Sequence, residues 1–185
     1  MIRRHFLFAV TILFLLFSNT THGFIDAINK PSNSTWIYKS SENPKMKHNA
    51  FVSNIDQKAT FSLSFADKKC QSNDLSIYLF YTTSSQKNVI NIIKEGFHMT
   101  AFRQFFNLKT VDVRREGNHI KATLKPIYSE TIHLLDSLEK GNKMSLIWKG
   151  DNDSLKPLEF NLKNSGNSIQ NLYTNCMNHI YESKR

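Results

Sequence analysis

Two cysteines, Cys70 and Cys176, are the only ones in the chain, and more than half of the sequence separates them. One pair has one intramolecular connectivity, so in an oxidising compartment the fold must bring these two positions together. The bridge would close a loop of about 105 residues and, in the chain-entropy treatment, stabilise the fold by roughly 4 to 5 kcal/mol. It also ties an early segment to the last one, which favours one domain over two, as does a length of 185 residues. A metal or thiol-redox role is the competing reading. It lacks a CxxC, and His179, three residues after Cys176, supplies at most a second ligand. With 14 Phe, 6 Tyr and 2 Trp the chain is too rich in apolar anchors to be disordered, and its cysteines are too few for a disulfide-dense miniprotein.

The first 23 residues differ from the rest. Met1 to His5 is a short basic opening, Phe6 to Phe17 is apolar apart from Thr11, and Ser18 to Gly23 is small and polar. This is the layout of a secretory signal peptide, with an apolar core shorter than the roughly 18 to 20 residues a spanning helix needs. We expect cleavage after Gly23, with an uncleaved membrane anchor as the alternative. Arg3-Arg4-x-Phe6-Leu7 has the look of a twin-arginine core, but the Leu/Phe-rich stretch after it suits the general secretory route, and no Cys follows to accept a lipid. Nothing later in the chain reaches transmembrane length. A periplasmic or secreted location is therefore expected, with residues 24–34 as a flexible arm and 35–185 as one globular domain.

Short alternating runs dominate that domain. Thr60 to Phe65 places Phe61, Leu63 and Phe65 on one face and Ser or Thr on the other, the pattern of a half-buried antiparallel strand. Leu75 to Tyr81 reads as its hairpin partner, with Cys70 near the turn. Trp36-Ile37-Tyr38 can start the ordered part, and Asn43-Pro44 marks a turn. Val89 to Ile93 fits strand or helix. Lys109 to Arg115 and His119 to Lys125 form a second hairpin around Glu116-Gly117-Asn118, with Val111 and Val113 alternating with charges. Ser129 precedes a helix carrying Ile132, Leu135 and Leu138 and stopped by Gly141. Met144 to Trp148 and Leu158 to Leu162 form a last strand pair across a polar turn at 149–153. Ser165 to Ser168 precedes a final helix whose stripe is Ile169, Leu172, Tyr173, Cys176, Ile180 and Tyr181. The expected class is α+β and β-rich: an antiparallel sheet or sandwich of about 7–9 strands with one short helix and a C-terminal amphipathic helix.

The formal charge of +9 falls to +7 once Arg3 and Arg4 leave with the leader. Its densest basic stretch runs from Arg103 to Lys125 and includes Lys109, Arg114, Arg115 and Lys121 against Asp112 and Glu116. Such a stretch is either a patch for an anionic surface, a membrane or a polyanionic glycan, or the solvated face of strands. Beside it, Phe97, Phe102, Phe105 and Phe106 flank Arg103, a mixture common at interfaces, although a domain of this size also buries most of its Phe. The candidate binding residues are thus Phe97, Phe102, Arg103, Phe105, Phe106, Arg114 and Arg115. No nucleic-acid motif is present.

The order of features resembles the invasion-associated locus B family and related type VI secretion-associated periplasmic proteins. It rests on Trp36, Leu63 to Cys70, Leu135 to Gly141, Leu158 to Leu162 and Ser168 to Cys176. The segment Lys87 to Lys125 lies outside the resemblance, and a second cysteine pair is absent. The resemblance implies a small β-rich exported domain with a host-interaction or secretion-accessory role and without a catalytic centre.

Catalytic signatures point the same way. There is no GxSxG, HExxH, P-loop or GxGxxG. His48, His98, His119, His133 and His179 are scattered, and although a triad assembled from separate strands is recognised only by geometry, no spacing selects one. Asp151-Asn152-Asp153 begins like a calcium loop but does not complete it, and no cofactor is expected. The sequons at Asn33 and Asn152 leave a eukaryotic secreted protein open. We expect a non-catalytic exported protein of the bacterial envelope or secreted space with a protein partner. The alternative is an inhibitor or immunity-type protein that blocks a secreted enzyme.

Overall fold

The strands form by alternation and the helices by the apolar stripes they turn toward one common core. In the computed structural model, residues 35–40, 48–54, 56, 58–65, 70–71, 75–82, 87–126, 130–149 and 155–182 are described, all within the unit Asn33–Arg185. The expected leader, the arm, the Asn43-Pro44 turn, Ser129, the 151–153 turn, both sequon asparagines and the His179 side chain lie outside the described residues. The elements are β1 Ile37–Lys39, β2 Asn49–Ser53, β3 Ala59–Phe65, β4 Leu75–Thr82, α1 Lys87–Glu95, β5 Phe97–Ala101 and β6 Gln104–Glu116. They continue as β7 His119–Pro126, α2 Thr131–Lys140, β8 Lys143–Trp148, β9 Leu158–Asn161 and α3 Ser165–Glu182.

The nine strands of the described residues join one antiparallel sheet in the order β1-β2-β3-β4-β7-β6-β5-β8-β9, curled into a half-barrel. The fold is α+β and β-rich, a single sheet rather than a sandwich. The sheet's two ends meet beside β1, where the Trp36 amide donates to the Lys163 carbonyl at 3.2 Å and Asn164 Nδ2 donates to the Trp36 carbonyl at 3.3 Å. One face carries the helices and the core: Phe61, Leu63, Ile77, Leu79, Ile120, Leu124, Phe97, Met99, Leu146 and Phe160 pack with Ile93, Leu134, Leu138, Ile169 and Leu172. Full burial of such side chains contributes about 1.5 to 3 kcal/mol each, which is what offsets the ordering of the chain.

Several expectations change in the folded chain. Val89 to Ile93 belongs to α1, so among the described residues two short helices precede the C-terminal one. That helix carries the chain across the sheet, which is why β5 does not pair with β4. It ends at Gly96, whose φ of +92° and backbone lie so close to β6 that a Cβ would meet the Leu108 carbonyl oxygen, so only glycine fits. The strand β3 is buried on both faces, with Ser62 and Ser64 fully covered. Its small hydroxyl residues are flanked in register by Phe51, Tyr78 and Phe80, so alternation here sorts side chains by size, not by access to water. The strand β2 has no expectation behind it. In α2 the buried residues are Leu134, Leu135 and Leu138, whereas Ile132 is exposed. α3 begins at Ser165, whose hydroxyl donates to the Leu138 carbonyl at 2.6 Å, and Tyr181 at its far end faces solvent.

Candidate binding surface

The bridge that the cysteine count requires is formed between Cys70 and Cys176, with Cα atoms 5.8 Å apart. It joins the β3–β4 connection to the middle of α3, where Phe65 also meets Tyr173 with ring centroids 4.7 Å apart. Both sulfurs are used and no free cysteine remains, so the thiol-redox and zinc readings are set aside. A stable bridge is the chemistry of an oxidising compartment. Among the described residues, no helix is long and apolar enough to cross a membrane, and no three His, Cys, Asp or Glu side chains group to hold a metal ion.

The seven candidate binding residues divide into three groups. Phe97 and Phe106 are core: they are essentially inaccessible and point at the helices, so they are corrected out of any surface. Phe102, Arg103 and Phe105 are exposed, the two rings at 48% and 56%. Arg114 and Arg115 are exposed at the opposite end of β6. That strand has 13 residues, and at about 3.3 Å per residue its ends are about 40 Å apart. One patch of all five residues is therefore impossible. Each arginine is also engaged where it stands: Arg114 Nε pairs with Asp112 at 2.6 Å, and Arg115 Nε donates to the Gly117 carbonyl at 3.1 Å.

The exposed trio sits on the β5–β6 hairpin. Ala101 pairs with Gln104, so Phe102 and Arg103 form a two-residue turn, and both have positive φ, +43° and +63°. Turns of this geometry match the twist of the strands but favour Asn-Gly, and each non-glycine residue in the left-handed region costs about 1 kcal/mol or more. The turn is braced from below. Ser137 Oγ of α2 donates to Gln104 Oε1 at 3.0 Å, and the end of α2 at Gly141 packs so closely that a Cβ there would come within 3.5 Å of the Phe102 amide nitrogen. On the outer face, Phe105 lies 4.9 Å from His98 between ring centroids, and His98 is in register with Asn107 and with the exposed Ile147. The His98 Nδ1 is buried with no hydrogen-bond partner among the described residues. Phe105, His98 and Ile147 thus form a partly apolar strip on the outer face from β6 across β5 to β8, with the polar Thr100 and Asn107 beside it and Phe102 and Arg103 exposed at the turn.

The other histidines do not assemble with His98. His48 bonds to the Tyr38 hydroxyl at 2.7 Å, His119 bonds to the Thr82 hydroxyl at 2.9 Å on the exposed ends of β4 and β7, and His133 faces outward on α2. A recess of about 260 Å³ between the β2–β3 connection and β9 is lined by Asn54, Asp56, Lys156, Pro157 and Glu159. Its polar groups are partly committed, Asn54 Oδ1 to the Ala59 amide at 2.8 Å and Glu159 to Lys143 at 2.6 Å.

Sequence reasoning found the aromatic stretch but missed Ile147 and His98 as its neighbours, because they join it only through strand pairing. A signal for the turn was present: two strands of alternating residues separated by just Phe102-Arg103. No family model matches the chain, and neither a curated protein nor a solved structure shows a significant likeness to it.

Proposed function

We propose that this is an exported, non-catalytic binding protein of the bacterial envelope or secreted space that holds a protein partner on the surface of Phe102, Arg103, Phe105 and Ile147. The observation that carries the reading is the turn itself. Two bulky non-glycine residues occupy backbone conformations that glycine and asparagine fill at lower cost, and the expense presents Phe102 to solvent. Exposed aromatics beside an arginine are what protein interfaces concentrate at their centres. The bridged cysteines support a periplasmic or secreted location, and the resemblance to the invasion-associated locus B family supports an accessory role in host interaction or secretion. The bracing of the turn by α2 favours a contiguous surface over the protruding knob that an enzyme inhibitor inserts into a cleft.

The test places a photo-crosslinking residue at Phe105 and, separately, at Tyr181, which is at least as exposed, and exposes the mature protein to the extracytoplasmic fraction of the native cell. A discrete protein adduct at position 105, absent at 181 and lost in the double variant F102N/R103G, is the expected result. Equal adducts at both positions, or none at 105, overturns the reading.

A further inference from the structure

On the outer face of the β6–β7 hairpin, like charges stand directly opposite one another. Lys109 is in register with Lys125, and Arg114 with Lys121. Cross-strand neighbours on one face lie about 5 Å apart, and like charges in such pairs are destabilising. Two acids on the same face compensate only one end: Asp112 pairs with Arg114 at 2.6 Å and Glu116 with Lys121 at 3.6 Å. Lys109 and Lys125 have no carboxylate partner among the described residues. The Lys121 ammonium is further held over the rings of Tyr78 and Phe80, at 4.9 and 5.5 Å, so its position is fixed and not free to swing away. The intervening side chains Ile120, Ala122 and Leu124 point into the core, so the cations cannot turn inward.

We propose that this face binds an anionic polysaccharide, with sulfate or carboxylate groups bridging the uncompensated Lys109 and Lys125 and a second anion competing with Asp112 and Glu116 for Arg114 and Lys121. The two cation pairs are four residues apart along β7, about 13 Å, which suits successive charges on an extended polymer lying along the strands better than a single ion. An anionic bilayer fits less well. Interfacial docking couples cations to a broad apolar face, and on β6 the large exposed hydrophobics are two separated residues, Val111 at the bulge between Thr110 and Asp112 and Phe105 four residues before Lys109, with Asn107 and the cations between them. Its uncompensated pair lies in the middle of β6, with Lys109 five residues, about 17 Å, from Gln104 at the β5–β6 turn and Arg114 near the far end; the proposal rests on cations that the partner surface proposed at the turn does not use.

The test is retention on immobilised heparin, with K109A/K125A compared against K94A/K163A, which removes the same charge from other exposed positions. The face variant should lose about tenfold in affinity and show a shallower dependence on salt, because fewer counterions are displaced. Its thermal midpoint should stay the same or rise, since a repulsive pair has been removed. The control pair and F102N/R103G should bind as the parent does. Equal losses in face variant and control would reduce the effect to net charge and overturn the proposal. So would capture by phosphatidylglycerol vesicles without retention on heparin.

Discussion

Removing the Cys70–Cys176 bridge should take away about a third or more of the stability a domain of this size normally has, and the loss should arise in the unfolded chain. The bridged residues are 106 apart. For a loop of that size the chain-entropy relation gives about 4.8 kcal/mol at 25 °C. The native contacts around the bridge do not depend on it. Ile169 and Leu172 hold α3 in the core, Phe65 packs against Tyr173, and the Ser165 hydroxyl anchors the helix start to α2. The double variant C70A/C176A should therefore keep its α3 docked and its native circular dichroism. Its urea midpoint should fall while the m-value rises, because an unbridged unfolded chain exposes more surface. By the usual scaling for this length the thermal midpoint should drop by about 10 to 20 °C. Thiol labelling of the unfolded, unreduced parent should find no free cysteine. A loss below about 1 kcal/mol with an unchanged m-value would refute the argument, since it would mean that the bridge does not restrict the unfolded ensemble.

Three further outcomes are expected. F102N/R103G places the residues preferred for two positive-φ positions in the β5–β6 turn and should raise stability by about 1 to 2 kcal/mol in a thermal or urea melt; a loss would show that the turn carries no strain. Leu172→Ala empties a fully buried site and should cost about 2 to 5 kcal/mol, against less than about 0.5 for Tyr181→Ala on the exposed end of the same helix; equal costs would place the stripe wrongly. Partial desolvation raises the Glu139 carboxyl from its ordinary value although the residue is largely exposed, with the Asp136 charge adding to the rise and Lys140 partly offsetting it, so the effect is small. The folded state then keeps its proton to higher pH than the unfolded chain does, so this group's contribution declines as pH rises from the ordinary carboxylate range through the raised value. Glu139→Gln should raise the urea midpoint at pH 7 and have no effect below about pH 4; an equal effect at both pH values would contradict this.

What the sequence makes legible is set by how local the physics is. Alternation locates β3, β4, β7, β8 and β9, the helical stripe locates α3, and the count of two cysteines specifies the bridge. Pairing between distant strands is not local. No feature of Phe97, Phe102, Phe105 and Phe106 by itself separates the two that enter the core from the two that reach solvent. That division follows from the register of β5 with β6 and from the side of the sheet on which α1 and α2 lie. The bulge at Val111 is likewise invisible beforehand: alternation through Val111 and Val113 puts both on one face, and the extra residue sends the first outward while the second packs against the core.

The basic stretch from Arg103 to Lys125 shows the same limit from the functional side. As a sequence it is one cluster of cations around an aromatic segment. Folded, it is a turn, a long strand, a second turn and a returning strand, so Arg103 and Arg114 are carried to opposite ends of β6. Lys109 and Lys125 become immediate neighbours, as do Arg114 and Lys121. Pairing therefore converts an undivided patch into two surfaces of different chemistry, an apolar one with a single arginine at the β5–β6 turn and a polar, cationic one on β6–β7. The energetic signs agree with that division. At the turn the cost is backbone strain, and on the hairpin it is repulsion between opposed charges. A chain selected for stability alone would relieve both with single substitutions to Gly, Asn or Glu. That both persist in one hairpin system, each at an exposed position where relief needs no repacking, is the reason to look for ligands at these two places before any other part of the molecule.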